Sequence, residues 1–427
     1  MEQKERALLV GVNTKEDQEF EYSMEELAGL ASACQMEVVG IITQNMDRPN
    51  QAIYIGSGKV AEVKDMAGLL EADIIVFNNA LSPSQLRNLQ KELSIPIVDR
   101  TTLILDIFER RAKSREAKLQ VESARLQYFL PRLVGLHDAL SRQGGTSGSM
   151  SSRGAGEKKL ELDRRKIEKR ISELRRELEA VSQERETQRK KRVNARVPQV
   201  SLVGYTNAGK STIMNAMLEE YNQEDEDAKE LKKVLAEDML FATLDTSVRL
   251  ITAGNNQDFL LTDTVGFIHK LPHGLVKAFR STLEEIRNAD LLLHIIDYSD
   301  PHYKEHMAVT RETLQELDAA NIPVIYVYNK SDLCDIQIPS MKNNESIYLS
   351  AKQHQGITEL KDMIIEYVYQ EYREVSLLIP YEEGRIVSYF METANILEKE
   401  YRETGIYLKA RCHQADAVKY SKYRDEL

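Results

Sequence analysis

No stretch of this chain approaches the roughly 18 consecutive apolar residues that a membrane-spanning helix needs; the greasiest run, 291–296, has the length of a buried strand. The opening hexapeptide, Met1-Glu-Gln-Lys-Glu-Arg6, lacks the apolar core of a secretory signal. Cysteine is scarce. Cys34, Cys334 and Cys412 are odd in number, far apart and without Cys-x-x-Cys spacing, so they support neither a disulfide framework nor a zinc site. These absences lead us to expect a cytoplasmic protein with no membrane span. An excess of positive charge is also missing, for the formal net charge is −11. Taken whole, that argues against a nucleic-acid partner, whose phosphates are met by a positive surface.

The average conceals a division. From Glu109 to Arg196 there are 24 Lys and Arg against 13 Asp and Glu, a balance of +11, which leaves −22 for the remainder. One basic block stands between two acidic ones. The 427 residues suffice for about three domains. Apolar and charged fractions of 42% and 29% mark a globular chain rather than a disordered one.

Within 1–100, apolar runs at 7–12, 38–43 and 73–77 read as buried strands. Helical patterns at 25–32 and 84–93 separate them, a βαβ rhythm that implies a parallel sheet. Gly56-Ser-Gly-Lys59 lacks the spacing of a P-loop and reads as a strand-to-helix turn. Over 101–196 the texture is helical. Ala117, Val121, Ala124 and Tyr128 share one face of a helix expected to end near Pro131. Leu160, Ile167, Ile171, Leu174, Leu178 and Val181 form the stripe of a coiled-coil seam. A helix over 158–192 is roughly 50 Å long. Between them the Gly/Ser-rich loop 141–156 has Arg142 and Arg153 as its only charges. An antiparallel hairpin with a flexible, basic tip follows, and its seam can be satisfied within a monomer.

Residues 197–370 form a second α/β unit, with strands expected at 200–203, 259–263, 291–296, 323–328 and 346–349. The coda 371–427 reads strand 375–379, helix 385–401 and strand 407–410. The expected fold is therefore α/β: an N-terminal parallel-sheet domain, a long helical hairpin, a Ras-like P-loop domain and a small α+β C-terminal domain.

The chemistry lies in 204–212. Gly204-Tyr205-Thr206-Asn207-Ala208-Gly209-Lys210-Ser211-Thr212 matches G-x-x-x-x-G-K-[ST], after an apolar strand and before a helical run. Glycines let the backbone wrap a phosphate, while successive N–H groups and the helix N-terminus supply positive potential. Lys210 bridges the β- and γ-phosphates, and Ser211 offers its hydroxyl to Mg²⁺. Asp263-Thr-Val-Gly266 follows the next buried strand; its carboxylate can hold the Mg²⁺ shell through water and the Gly266 amide can reach the γ-phosphate. Asn329-Lys330-Ser-Asp332 and Ser350-Ala351-Lys352 end two further strands.

In order and spacing these boxes resemble those of the translation-factor-class GTPases, with GTP and GDP as ligands. Asp332 is then the specificity element, because a carboxylate accepts both N–H groups of guanine while adenine leaves it unpaired. Thr243, in Phe241-Ala-Thr-Leu-Asp245, is the candidate switch threonine that senses the γ-phosphate through Mg²⁺. Lys210, Thr243 and Gly266 are the expected catalytic residues, and Phe241 is expected beside the nucleotide. Ras-like proteins follow the second box with a Gln that orients the attacking water. Here Phe267 stands in its place, so another group or a partner must complete the site. Asn207 matches the P-loop Asn that potassium-stimulated GTPases use to hold K⁺, plain loop geometry being the alternative.

The likeness narrows further. Val98-Asp-Arg-Thr101, Leu105-Asp-Ile-Phe-Glu-Arg-Arg-Ala112, Lys118-Leu-Gln-Val-Glu122 and Leu130-Pro-Arg-Leu-Val134 resemble motifs of the HflX family. So do Arg153-Gly-Ala-Gly-Glu157, Leu160-Glu-Leu-Asp-Arg-Arg165 and Asp263-Thr-Val-Gly-Phe-Ile268. The resemblance runs from Ile53 to about Arg280 and on through the GTPase boxes. It implies a ribosome-associated GTPase that binds the large subunit and splits stalled or idle ribosomes under stress. The hairpin loop would be directed towards the peptidyl-transferase centre. Arg142, Arg153, Lys158, Lys159, Arg164 and Arg165 are then candidate rRNA contacts. Three features depart from the family: Gly154-Ala-Gly-Glu-Lys-Lys159 replaces Gly-Pro-Gly-Glu-Thr-Gln, the Ser-rich loop before Arg153 is longer, and an acidic insertion occupies 219–238. Two other functions stay open: a GTPase of ribosome assembly or tRNA modification, and a nucleotide-switched scaffold. A solvated coiled coil docking another protein is the bland reading of the hairpin.

Overall fold

The computed structural model describes residues 4–15, 19–142, 161–181, 183, 197–221, 247–254, 257–268, 286–343, 345–370 and 372–425, with backbone alone over 133–142 and 341–342. They fall into two compact units, one covering the chain through residue 183 and the other containing the described residues from 197 onward.

In the first unit β1 (Arg6–Asn13), β2 (Glu37–Asn45), β3 (Ile74–Phe77) and β4 (Ile97–Asp99) form a parallel sheet in the order β2-β1-β3-β4. Alternation along β1 sends Leu8 and Val10 into one core with Val60 and Val63 of α2 (Ser57–Leu69) and Leu89 of α3 (Pro83–Leu93). α1 (Phe20–Ala33) packs on β1 and on α4 (Arg100–Arg111). Arg110 donates to the Cys34 carbonyl at 2.8 Å. α4 therefore packs both on the sheet's α1 and on the first helix of the hairpin that follows it. The start of α3 is written locally: Ser82 accepts from the Gln85 amide, the Gln85 side chain accepts from the Ser82 amide, and Pro83 opens the helix. Gly56 precedes α2, but no strand leads into it. Asn50 and Tyr54 exchange backbone bonds of 2.9 Å across a tight turn instead.

α5 (Arg115–Arg142) carries Ala117, Val121 and Ala124 on its buried face. It does not end at Pro131, which lies inside it. A proline there removes the N–H that the Gln127 carbonyl would accept; one residue further on, Arg132 Nη1 donates to the Tyr128 carbonyl at 2.8 Å. The next helix, α6, is described over 161–181, with Ile171 and Leu174 buried. Arg170 grips Glu122 through two bonds of 2.7 and 2.9 Å, and Arg115 reaches Glu177 at 3.3 Å. A step of seven residues back along α5 matches seven forward along α6. The two helices are therefore antiparallel, in a hairpin.

The second unit holds a seven-stranded sheet in the order β10-β11-β9-β8-β5-β7-β6. β5 (Gln199–Gly204), β7 (Phe259–Asp263), β8 (Leu291–Asp297), β9 (Val324–Asn329) and β11 (Ser346–Tyr348) are parallel. β6 (Ser247–Ile251) and β10 (Ser340–Asn343) are antiparallel edges not anticipated from the apolar runs. Three helices bear on the argument: α7 (Lys210–Tyr221), α8 (Tyr303–Glu316) and α9 (Ile357–Val368). Beyond them β12 (Tyr372–Ile379), α10 (Gly384–Thr393), β13 (Asn395–Arg402), β14 (Gly405–His413) and α11 (Gln414–Lys419) make a small antiparallel sheet with helices. The helix expected over 385–401 is two elements. Residues 395–402, charged and helix-prone, pair instead with β14, so tertiary pairing outweighs local propensity.

Candidate functional site

The boxes meet at the C-terminal ends of β5, β7, β9 and β11, where a doubly wound sheet places its ligands. β5 ends at Gly204, whose φ of +144° and approach to Ile295 leave no room for a side chain; an added Cβ would lie 2.2 Å from the Ile295 carbonyl oxygen. The loop turns through Asn207 at φ +62° and delivers Lys210, Ser211 and Thr212 to the first turn of α7.

Lys210 is only 6% exposed, and its ammonium donates to the Gly204 and Tyr205 carbonyls at 3.1 and 2.8 Å. Burial pushes its pKa down to about 8, against the opposing pull of the nearby Asp263 carboxylate. Asp263, the last residue of β7, is fully buried and accepts from Ser211 Oγ at 2.6 Å. A hydroxyl and a carboxylate in that relation are hard oxygen donors of the kind Mg²⁺ takes.

Past Asp263 the chain closes on the loop. Phe267 N–H donates to the Gly204 carbonyl at 3.1 Å, and Thr206 N–H donates to the Phe267 carbonyl at 2.8 Å. Gly266 passes so near that an added Cβ would stand 2.6 Å from Thr206 Cα and 3.0 Å from Lys210 Nζ. The Phe267 side chain is 3% exposed. It packs, and contributes backbone rather than side chain to the site. Tyr205 stacks on His306 of α8 at 4.0 Å between ring centres, and burial holds that imidazole below its usual range.

Asn329 ties three boxes together. Its Nδ2 donates to the Ala208 carbonyl at 2.9 Å, and its Oδ1 accepts from Ala351 N–H at 3.1 Å. Lys330, at φ +59°, pairs with Asp297 at 2.7 Å. Asp332 is half-buried and accepts from Gln353 Nε2 at 3.2 Å. Ser350 is buried beneath the turn that carries Ala351 and the exposed Lys352.

The expected residues from 204–212, together with Asp263, Gly266, Asn329, Lys330, Asp332 and 350–352, thus gather at one sheet edge. Phe241 and Thr243 lie outside the described residues, as do Arg153, Lys158, Lys159 and the acidic segment 222–238; at Arg142 only backbone is described. Arg164 and Arg165 stand on α6, 46% and 71% exposed, paired with Glu168 and Glu161 at 2.9 and 3.0 Å. Asp297, His306 and Gln353 escaped the sequence reading. Asp297 had a signal, since a carboxylate that ends an apolar strand marks the sheet's ligand edge.

Among the described residues no helix is long and apolar enough to cross a membrane, and no group of three or more His, Cys, Asp or Glu is arranged to hold a metal. Cys412 is buried, and its thiol is pushed up to about 11 by that burial, the reverse of an activated nucleophile.

A phosphate-binding loop between a parallel strand and a helix, a strand-end Asp and an Asn-Lys-x-Asp turn define a P-loop GTPase. Comparison with known proteins gives the family. Residues 21–109 match the GTP-binding GTPase N-terminal model, 111–192 the GTP-binding GTPase middle region, and 199–330 the 50S ribosome-binding GTPase. GTPase HflX of Caldanaerobacter subterraneus is 46% identical, covering 95% of this chain and 91% of that one. GTPase HflX of Alkalihalophilus pseudofirmus is 43% identical over 99% and 97%, and that of Escherichia coli 39% identical over 93% and 91%. The chain belongs to the HflX family of GTPases.

Proposed function

We propose that this GTPase binds the large ribosomal subunit in its GTP state and splits stalled, idle or drug-bound ribosomes under stress, with hydrolysis releasing it. The observation that carries the reading is the pairing of a GTPase unit matched by a 50S ribosome-binding model with an antiparallel hairpin in the chain's one basic block. Lys and Arg meet phosphate without regard to sequence, which suits an irregular rRNA pocket. On α6 the cations Arg164 and Arg165 are held by exposed pairs that contribute little to folding, so rRNA phosphate can exchange for the carboxylates. Arg142, Arg153, Lys158 and Lys159 complete the proposed RNA face on sequence grounds.

In the nucleotide site Lys210 bridges the phosphates, Asn329 fixes the loop against the base turn, and Asp332 reads guanine. Ser211 and Asp263 would hold Mg²⁺, the latter through water; the ion supplies charge neutralisation at the phosphates when bound. On sequence grounds Thr243 joins them and senses the γ-phosphate with Gly266. Phe267 is buried and offers no group to the attacking water, so a ribosomal contact or a K⁺ ion held by Asn207 completes the site. Turnover is then stimulated by the ribosome.

The test is co-sedimentation. The chain travels with large subunits in the presence of a non-hydrolysable GTP analogue and leaves them with GDP. Equal binding in both states sinks the switch. The assembly and tRNA-modification readings have less support, the latter because Cys412 is a buried thiol.

A further inference from the structure

Gln353 touches the base-reading carboxylate without belonging to any of the GTPase boxes. Its amide Nε2 donates to Asp332 Oδ2 at 3.2 Å across a separation of 21 residues. The backbone of the exposed turn that carries it is bonded at several points. Ser350 and Gln355 exchange two backbone bonds of 3.0 Å, and Gln353 N–H donates to Ser350 Oγ at 3.3 Å. Ala351 is bonded to Asn329, and His354, at φ +54°, reaches Glu219 of α7 at 3.4 Å. The backbone under Gln353 is therefore pinned to a strand end, to the Asn329 bridge and to α7. Asp332 sits on a single 3-10 turn, 331–333, half-buried, and Gln353 meets it from the exposed side.

Guanine offers two adjacent N–H groups, and a carboxylate accepts both only when its plane is aligned with the base edge. A side chain on a short turn pays rotamer entropy to hold that alignment. A donor on one oxygen supplies the alignment in advance, and it need not compete with the base, because each carboxylate oxygen has more than one acceptor site. We propose that Gln353 is a positioning residue for guanine specificity, holding the Asp332 carboxylate in the plane that the base requires. The proposal rests on the reading of Asp332 as the guanine-recognising carboxylate.

The experiment compares GDP with IDP, whose base keeps N1–H and lacks the 2-amino group. Affinities are measured by calorimetry on the full chain for the native protein and for Gln353→Leu, Gln353→Lys and Asp332→Asn. Gln353→Leu removes the donor and is expected to weaken GDP about five- to tenfold and IDP about twofold, so that the preference for GDP shrinks. Gln353→Lys retains a donor and restores the preference. An unchanged GDP-to-IDP ratio in Gln353→Leu overturns the proposal. So does a shrunken ratio that Gln353→Lys fails to restore, since that is the mark of a turn merely disturbed. Asp332→Asn separates the two levels: if it binds GDP as the native protein does, the base-reading role of Asp332 fails first. If it loses GDP while Gln353→Leu keeps the native ratio, only the role of Gln353 fails.

Discussion

The Tyr128 hydroxyl, on α5 of the hairpin, donates to the carboxylate of Asp99 at the end of β4. Asp99 is buried, and it also accepts from Leu81 N–H at 3.0 Å, from Thr102 N–H at 2.9 Å and from Thr102 Oγ1 at 2.8 Å. Arg132, one turn further along α5, lies over the Tyr128 ring at 3.4 Å and donates to the Leu81 carbonyl at 2.8 Å. One carboxylate thus caps α4, closes the loop before α3 and fastens the hairpin to the sheet.

Removing the hydroxyl takes one charge-assisted bond from a buried carboxylate that keeps its Leu81, Thr102 and Arg132 donors. Tyr128→Phe should cost about 2 kcal/mol of stability, and Asp99→Ala, which strands several donors, about 3 kcal/mol or more. Denaturant unfolding of the full chain reads both. A Tyr128→Phe protein as stable as the native one would show that the bond carries no net energy.

Lys210 gives a pH dependence whose sign is determined. Its pKa before nucleotide binds is about 8, and an anionic phosphate favours the protonated form, so binding takes up a proton above that pH. Affinity for GDP should fall about tenfold from pH 7 to pH 9, where the terminal phosphate is already fully ionised. Isothermal titration in two buffers of different ionisation heat measures the proton uptake directly.

Gly266→Ala places a methyl 2.6 Å from Thr206 Cα, a backbone atom that cannot yield cheaply. The segment after Asp263 must shift off the phosphate loop. GTP turnover is expected to fall at least about tenfold, whereas GDP affinity changes less than about threefold, since the proposed contact of Gly266 is with the γ-phosphate. Single-turnover hydrolysis beside GDP titration separates the two effects.

Asn329→Ala cuts the bridge between Ala208 and Ala351 and leaves a buried carbonyl and a buried N–H without that partner. The loss should weaken GDP and GTP alike, by about tenfold or more, with little change in the rate of the chemical step.

Much of this was legible in advance, for reasons that differ by element. Strands such as β5, β7 and β8 are buried on both faces and appear as apolar runs. The P-loop and the Asn-Lys-x-Asp turn demand particular residues at particular spacings. β6 and β10 lie at sheet edges, where no unbroken apolar run marks them. β13 is a charged strand that owes its conformation to β14, and Pro131 lies within a helix where Arg132 donates to a carbonyl of the preceding turn. Gln353 was invisible because its partner lies 21 residues away and only the folded turn brings them together.

GTP turnover by this protein is proposed to serve a ribosome. Light scattering of intact ribosomes mixed with this protein, with GTP hydrolysis followed in the same sample, tests it most directly. Turnover well above that of the free protein is expected, with a fall in scattering that depends on GTP or its non-hydrolysable analogue and is absent with GDP. Turnover indifferent to ribosomes, with scattering unchanged in every nucleotide state, would contradict it.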